Sequence, residues 1–353
     1  MTGRKSNCLL LRVLAFQLFF APALLTVVAA QFEVVNIHSR ALENNALHDP
    51  SVRSAVIFSP SQATNGQRLP IIYYLPGFGN SAGDFIKNPM PWLKCTQNIA
   101  DQIAPMILVV VDGYTRWGGS QYLDSTAQGN YADYICNEIT TTVERLHPLP
   151  TNGIRRIIAG HSSGGFGALR LGMMRQELFD GVIALSPDSD FPTSHLPLVK
   201  SAVITNVPLA EINRIAQGEV SPCDNGDLTY VLALSSAYAP RTFFHRGQFQ
   251  WIYDAQGNFR PEVWQRWLDN DPLTIIRKKG AQTFGVKQAI YLDGAAQDEF
   301  MANIGAQKMF ACLRKYQERC AFYEPPGRHS DHLQQRLQRG LAWVFGQPLC
   351  DIK

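Results

Sequence analysis

Charge is scarce in this chain: Asp, Glu, Lys and Arg make up only 17% of its 353 residues and leave a formal net charge of +3. That balance, with no basic stripe interleaved with aromatics, gives no footprint for nucleic acid. Internal repeats and low-complexity tracts are missing as well, which argues against a solenoid or an array. Cysteine is sparse, seven residues with none in a C-x-x-C pair, so zinc binding and dithiol redox chemistry lack their usual spacing. What is plentiful is apolar side chain. At 46% hydrophobic the chain can fill one large α/β domain, with or without an insertion.

The N-terminus reads as an address. Arg4, Lys5 and Arg12 precede the apolar stretch 13–28, and Val28-Ala29-Ala30 ends it before Gln31. Small or aliphatic residues at those places fit cleavage after Ala30, so residues 1–30 are expected to be a signal peptide and the mature protein to be exported. The competing reading is an uncleaved anchor, since the stretch approaches spanning length. Cys8 would leave with the leader. Six cysteines then remain (Cys95, Cys136, Cys223, Cys312, Cys320 and Cys350), a number that permits disulfides in an exported protein without choosing a pairing. Some of them read equally well as buried thiols.

Along the mature chain, apolar runs alternate with helical periodicity. The expected strands are 55–58, 71–75, 106–111, 156–159, 181–185, 287–292 and 321–323, several of them continuous and rich in β-branched residues, as strands covered on both faces are. Helices are expected over 131–146, 166–178, 298–316 and 331–345. The pattern predicts an α/β fold: a mostly parallel central sheet flanked by helices, with ligands at the carboxyl ends of the strands. Residues 191–285 are too long for a connection and read as an insertion. Its aromatics Phe243, Phe244, Phe249, Trp251, Trp264 and Trp267 could line an acyl or aryl pocket, or form the insertion's own core. Val263, Trp264, Trp267 and Leu268 are spaced for one buried helix face, which favours the core.

The sharpest signal is Gly160-His161-Ser162-Ser163-Gly164, with the apolar strand Ile157-Ile158-Ala159 before it and a helix-forming stretch after it. In that context G-x-S-x-G forces a tight strand-to-helix turn with Ser162 at its apex. The N–H of Ser163 then opens a helix, where the donors and dipole favour an anion. A glycine-rich structural turn is the plainer alternative.

A serine nucleophile needs a base, and the base needs a third group to orient it. In this fold the order is Ser, then Asp or Glu, then His. His329, in the Pro/Gly-rich loop after the last strand, is the expected base; His332 falls in the first turn of the next helix, where exposure is its expected fate. Asp298, placed at the start of the helix after strand 287–292, is the expected acid, although its plainer role is an N-cap. Asp293 and Glu299 are its neighbours, and Asp188 or Asp190 is a second possibility. Leu75-Pro76-Gly77-Phe78-Gly79 follows an early strand, where the second oxyanion donor belongs, and the N–H of Phe78 is the candidate to join that of Ser163.

These segments, with Gly119-Ser-Gln-Tyr-Leu-Asp-Ser125 and Gly129-Asn-Tyr-Ala-Asp-Tyr-Ile135, form an ordered set covering most of residues 40–190 and 285–345. The set resembles the Putative esterase family of α/β-hydrolases. That family includes S-formylglutathione hydrolases, feruloyl and acetylxylan esterases, siderophore esterases and mycolyltransferases. The resemblance places the family's acid on Asp298 and its histidine on His329. Pro76 stands where the family often has histidine, and residues 195–285 match no part of it.

The expectation is an exported serine hydrolase of carboxylic esters, working through Ser162, His329 and Asp298 and an acyl-enzyme, with no metal or organic cofactor. Its substrate would be a small-molecule or carbohydrate-linked ester, with no nucleic-acid partner and no stable membrane span after cleavage. An acyltransferase using the same residues, a non-catalytic binding protein on this fold and a cytosolic thioesterase are the rivals.

Overall fold

The computed structural model describes residues 30–64, 66–217, 219–220, 225–241 and 248–347. The expected leader, Cys8, Cys223, Cys350, Phe243 and Phe244 lie outside those residues, Ala30 excepted. Among the described residues there are ten strands: β1 (Gln31–His38), β2 (Val52–Ser59), β3 (Ile71–Leu75), β4 (Ile107–Val111), β5 (Asp124–Ser125), β6 (Gly129–Asn130), β7 (Arg156–His161), β8 (Gly181–Leu185), β9 (Ala289–Asp293) and β10 (Cys320–Tyr323). Eight of them form one sheet in the order β1-β2-β4-β3-β7-β8-β9-β10. The pairings β1–β2 and β2–β4 are antiparallel and the rest are parallel. The strands β5 and β6 form a separate small hairpin.

The continuous apolar runs are explained by burial on both faces. Successive side chains of a strand point to opposite faces. Thus Ile71, Tyr73 and Leu75 of β3 enter one apolar cluster, and Ile72 and Tyr74 enter another. The strands β4, β8 and β9 alternate between the same two clusters. The first contains the helical residues Ile135, Ile139 and Leu169, the second Trp92, Ile99, Leu337 and Leu341. Helices therefore cover both sides of the sheet, and a mostly parallel α/β sheet is the outcome.

Departures from expectation are local. Strand β1 was not foreseen; it lies at the sheet edge with most of its side chains exposed, so it carries no continuous apolar run. The expected helix 131–146 is helical throughout but includes a wider π turn over Tyr134–Ile139, and its terminal Leu146 is exposed. The helix expected to begin at Asp298 begins instead at Ala302 and ends at Leu313. Asp298 lies in the preceding loop.

The described residues of 191–285 are largely helical and supply most of a third apolar cluster. Phe249, Trp251, Trp264 and Trp267 belong to it with Phe191, Tyr238 and Tyr253, all buried. The described aromatics thus pack into an apolar core that they share with Leu47, Trp117, Leu123 and Phe166 from outside the segment. The four described cysteines, Cys95, Cys136, Cys312 and Cys320, are free thiols, so no disulfide joins any two of them. Burial pushes the Cys95 thiol up to about 12, which leaves it protonated and unreactive. Among the described residues no helix is long and apolar enough to cross a membrane.

Candidate active site

The parallel strands deliver the candidate residues to one end of the sheet. Pro76 follows β3, Ser162 follows β7, the segment 186–190 follows β8, and the segments with Asp298 and His329 follow β9 and β10. This is the carboxyl edge, where open α/β sheets place their ligands.

The turn at Ser162 is tight for a visible reason. Ser162 has φ 57° and ψ −122°, a region L residues avoid at a cost of about 1–3 kcal/mol unless the surroundings impose it. Here they do. The Ser162 N–H donates to the Leu185 carbonyl at 2.9 Å, and the Ser162 carbonyl accepts from Phe166 at 2.9 Å and Asp188 at 3.3 Å. Gly164 has no room for a side chain, because a Cβ there would overlap the Leu75 carbonyl. The helix Ser163–Met174 begins at the next residue, so the Ser163 N–H has no partner four residues earlier within the helix.

Asp298 and His329 meet directly. The His329 Nδ1–H donates to Asp298 Oδ2 at 2.7 Å, with both side chains buried. The other carboxylate oxygen accepts from the N–H of Phe300 at 3.0 Å and of Ala302 at 3.4 Å. Burial presses the Asp298 carboxyl upward, but the hydrogen bond and charge of His329, with the Ser186 hydroxyl, outweigh it and hold the group below its ordinary value. An ionised acceptor on Nδ1 leaves Nε2 of His329 as the basic nitrogen. Ser162 is next in chain to His161, whose ring lies 4.6 Å from the His329 ring, centroid to centroid.

The alternatives are occupied elsewhere. Asp188 accepts from Ser163 Oγ at 2.9 Å and Tyr230 OH at 2.8 Å. Asp190 pairs with Lys308 and Thr193. Asp293 is fully buried in a two-point pair with Arg336, at 2.9 and 2.7 Å. Glu299 accepts from the His329 backbone N–H at 3.1 Å. His332 is exposed at the N-cap of the helix Leu333–Val344.

Phe78 and Ser163 line one small cavity with Pro76, Gly77, Gln121 and Tyr122. The Tyr122 hydroxyl donates to the Pro76 carbonyl, and Gly79 N–H donates to Gly118 O at 2.9 Å, so the loop is tied on both sides of Phe78. Gln121 and Tyr122 both have φ near +55°, at 53° and 57°, a second strained pair at the same end of the sheet. A larger cavity of about 250 Å³ lies between the Pro76–Asn80 loop, His161 and Leu333–Gln334. Among the described residues no group of three His, Cys, Asp or Glu side chains is gathered to hold a metal ion.

Ser186, Arg336, Gln121, Tyr122 and Tyr230 were not singled out from sequence. Gln121 and Tyr122 lay inside a segment carrying the family resemblance, but nothing local to them announced a role. Arg336 binds Asp293, the Ser186 hydroxyl and the His329 carbonyl at once, through contacts 43, 150 and 7 residues apart in chain.

His161 is a strongly perturbed titratable group at the site. Burial, then the charges of His329 and Arg336, drive its pKa down to about 3, while its Nε2–H donates to the His329 carbonyl at 3.0 Å. Its folded pKa is below the unfolded value of about 6.5, so the unfolded chain binds the extra proton and folding stability rises with pH between the two values. His161→Gln is expected to flatten the stability profile between about pH 4 and 6.5, by up to 1.4 kcal/mol per pH unit. Urea unfolding at several pH values checks it; an unchanged slope would mean that His161 is not buried neutral.

The strand order, the elbow and the placement of the loops define an α/β-hydrolase fold. A family model described as Putative esterase matches residues 51–330, and the chain belongs to that family. An acetyl esterase of Caldicellulosiruptor saccharolyticus is 32% identical over 123 residues, which are 35% of this chain and 42% of that protein. The match thus spans less than half the length of that relative. Among solved structures, fluorophosphonate-binding serine hydrolase F of Staphylococcus aureus superposes with a TM-score of 0.57 at 14% identity, covering 90% of this chain and all of the other. The S-formylglutathione hydrolase of Agrobacterium tumefaciens gives 0.56 at 15% identity, covering 91% and 96%. At such identities these two likenesses speak for the fold.

Proposed function

We propose that the protein is an exported serine hydrolase of carboxylic esters. The observation that carries the reading is the buried Asp298–His329 hydrogen bond, at the same end of the sheet as a serine held at a strained elbow. Ser162 Oγ attacks the ester carbonyl as His329 Nε2 takes its proton. The N–H groups of Ser163 and Phe78 receive the negative charge that develops on the carbonyl oxygen, each worth roughly 3 kcal/mol in the transition state. His329 then passes its proton to the leaving alcohol, and the acyl group stays on Ser162. Water then gives a proton to His329 as its oxygen attacks the acyl carbon, and His329 returns that proton to Ser162 Oγ as the acyl–oxygen bond breaks and the acid leaves. Asp298 keeps the imidazole oriented and stabilises its cation throughout. None of these steps calls for a metal or an organic cofactor.

Support for a small or carbohydrate-linked ester comes from the acetyl esterase among the relatives and from a ferulic acid esterase among the structural neighbours. Support for export comes from residues 1–30. Strand β1 begins at Gln31, so cleavage after Ala30 leaves the sheet whole.

One experiment addresses both parts. Protein expressed with its full N-terminus is treated with a fluorophosphonate, and its mass and peptides are read. The expected result is a single adduct on Ser162 of a chain beginning at Gln31. No adduct on Ser162 would overturn the hydrolase reading; a folded, retained chain with residues 1–30 intact would overturn export.

A further inference from the structure

We propose that Tyr230, supplied by the insertion, is a positioning residue for both oxyanion donors, so that the insertion governs turnover as well as covering the site. The inference rests on the roles assigned above to Ser162, Ser163 and Phe78. Tyr230 lies on the helix Gly226–Tyr238, within the segment that matched nothing in the family resemblance. Its ring meets the Phe78 ring at 4.7 Å in an edge-to-face arrangement. Its hydroxyl donates to Asp188 Oδ2 at 2.8 Å, the same oxygen that receives the Ser163 hydroxyl at 2.9 Å. One side chain therefore reaches both donor residues, the first by its face and the second through a shared carboxylate.

The hydrogen-bond directions can be assigned. Ser163 has one hydroxyl proton, and a carboxylate oxygen can only accept. The proton goes to Asp188, so Ser163 Oγ accepts from Gln121 Nε2 at 3.2 Å. Gln121 Oε1 is then left buried and unpartnered, which marks the orientation of this chain of donors as one-way. Asp188 also donates its own N–H to the Ser162 carbonyl. It thereby ties the β8 loop to the elbow.

Phe78 sits between Gly77 and Gly79; the loop is tied at Pro76 and Gly79, and the packing of the ring adds to what fixes the peptide between these two flexible residues. Its ring is held on one side by Gly118 and Gly119, where a Cβ would fall 2.7 and 3.1 Å from ring atoms. Tyr230 closes the other side. Tyr230 is itself fixed by the ring of His195, 5.9 Å away at 85°, and His195 stacks on Phe191 at 4.4 Å. An N–H misdirected by a fraction of an ångström gives up much of its benefit to a developing oxyanion while barely altering substrate binding.

The test compares Tyr230→Leu and Tyr230→Phe on p-nitrophenyl acetate and on its thiono analogue, whose sulfur is a poor acceptor of hydrogen bonds. Tyr230→Leu is expected to lower kcat for the oxygen ester roughly tenfold or more, with KM changed less than twofold. The oxygen-to-sulfur rate ratio should fall by a similar factor. Tyr230→Phe keeps the ring on Phe78 but loses the link to Asp188, and should recover most of kcat with a smaller drop in that ratio. A leucine variant with wild-type kcat, or with a lower kcat and an unchanged ratio, would overturn the proposal. If the leucine variant does not fold, the phenylalanine variant decides: a wild-type ratio overturns, a lowered ratio supports. Failure of a fluorophosphonate to label wild-type Ser162 would instead overturn the reading beneath, and this inference with it.

Discussion

Ser162→Ala is expected to lower kcat for p-nitrophenyl acetate by about 10⁶-fold, down to what oxyanion contacts and binding provide alone. His329→Ala should do nearly the same, and the double variant should be no worse than either, because the two act as one device. Asp298→Asn should cost about 10⁴-fold. The reason lies in the proton on Nδ1. The Asp298 carboxylate, held below its ordinary pKa by His329 and Ser186 against its burial, accepts that proton as a hydrogen bond and leaves Nε2 basic. An amide can turn its NH₂ toward Nδ1 and favour the other tautomer, which has no lone pair to offer Ser162. Steady-state kinetics on folded variants decides. A Ser162→Ala protein retaining more than a thousandth of wild-type turnover would remove the serine from the chemistry.

Gly164→Ala is expected to abolish folding or to destabilise by more than about 4 kcal/mol, a size seen only for a few mechanisms. The methyl would overlap the carbonyl of Leu75 and crowd that of Pro76. These are backbone atoms of an interior strand and its following turn, with no rotamer to yield. The only relief is separation of the helix Ser163–Met174 from β3, which would pull Ser163 away from Phe78 as well. Gly226→Ala is the control, since a Cβ there meets nothing within 4 Å. It should be neutral or slightly stabilising. Thermal unfolding of the two variants side by side would show the contrast; a Gly164→Ala protein melting like wild type would mean the elbow is looser than its contacts indicate.

How far the sequence could be read depended on whether a feature was local. The strands Ile71–Leu75 and Gly181–Leu185 appear with the expected bounds, because burial on both faces writes itself as an uninterrupted apolar run. Edge strand β1, with most of its side chains exposed, has no such signature. The elbow was legible because strand, glycines and helix are consecutive in chain. An aspartate before apolar periodicity looks like a cap, which puts Asp298 on a helix by sequence; in the fold it lies in the loop ahead of the helix and accepts the N–H groups of Phe300 and of Ala302, the first helical residue. Asp188 and Asp190 could not be set aside from sequence. Only the fold reveals that Ser163, Tyr230, Lys308 and Thr193 already engage them. Arg336 was invisible for the same reason, since its three partners converge only when β8, β9 and the β10 loop are brought together.

That arginine bears on how the histidine works. Two donors, Arg336 Nη1 at 2.8 Å and His161 Nε2 at 3.0 Å, grip the single carbonyl oxygen of His329, and Glu299 takes the adjoining N–H. The main chain under the imidazole is thus anchored by side chains that keep their charge state while, in the mechanism proposed above, the ring gains and sheds a proton. Each catalytic cycle should then proceed with almost no rearrangement of the surrounding frame, so that little of the barrier is spent reorganising dipoles.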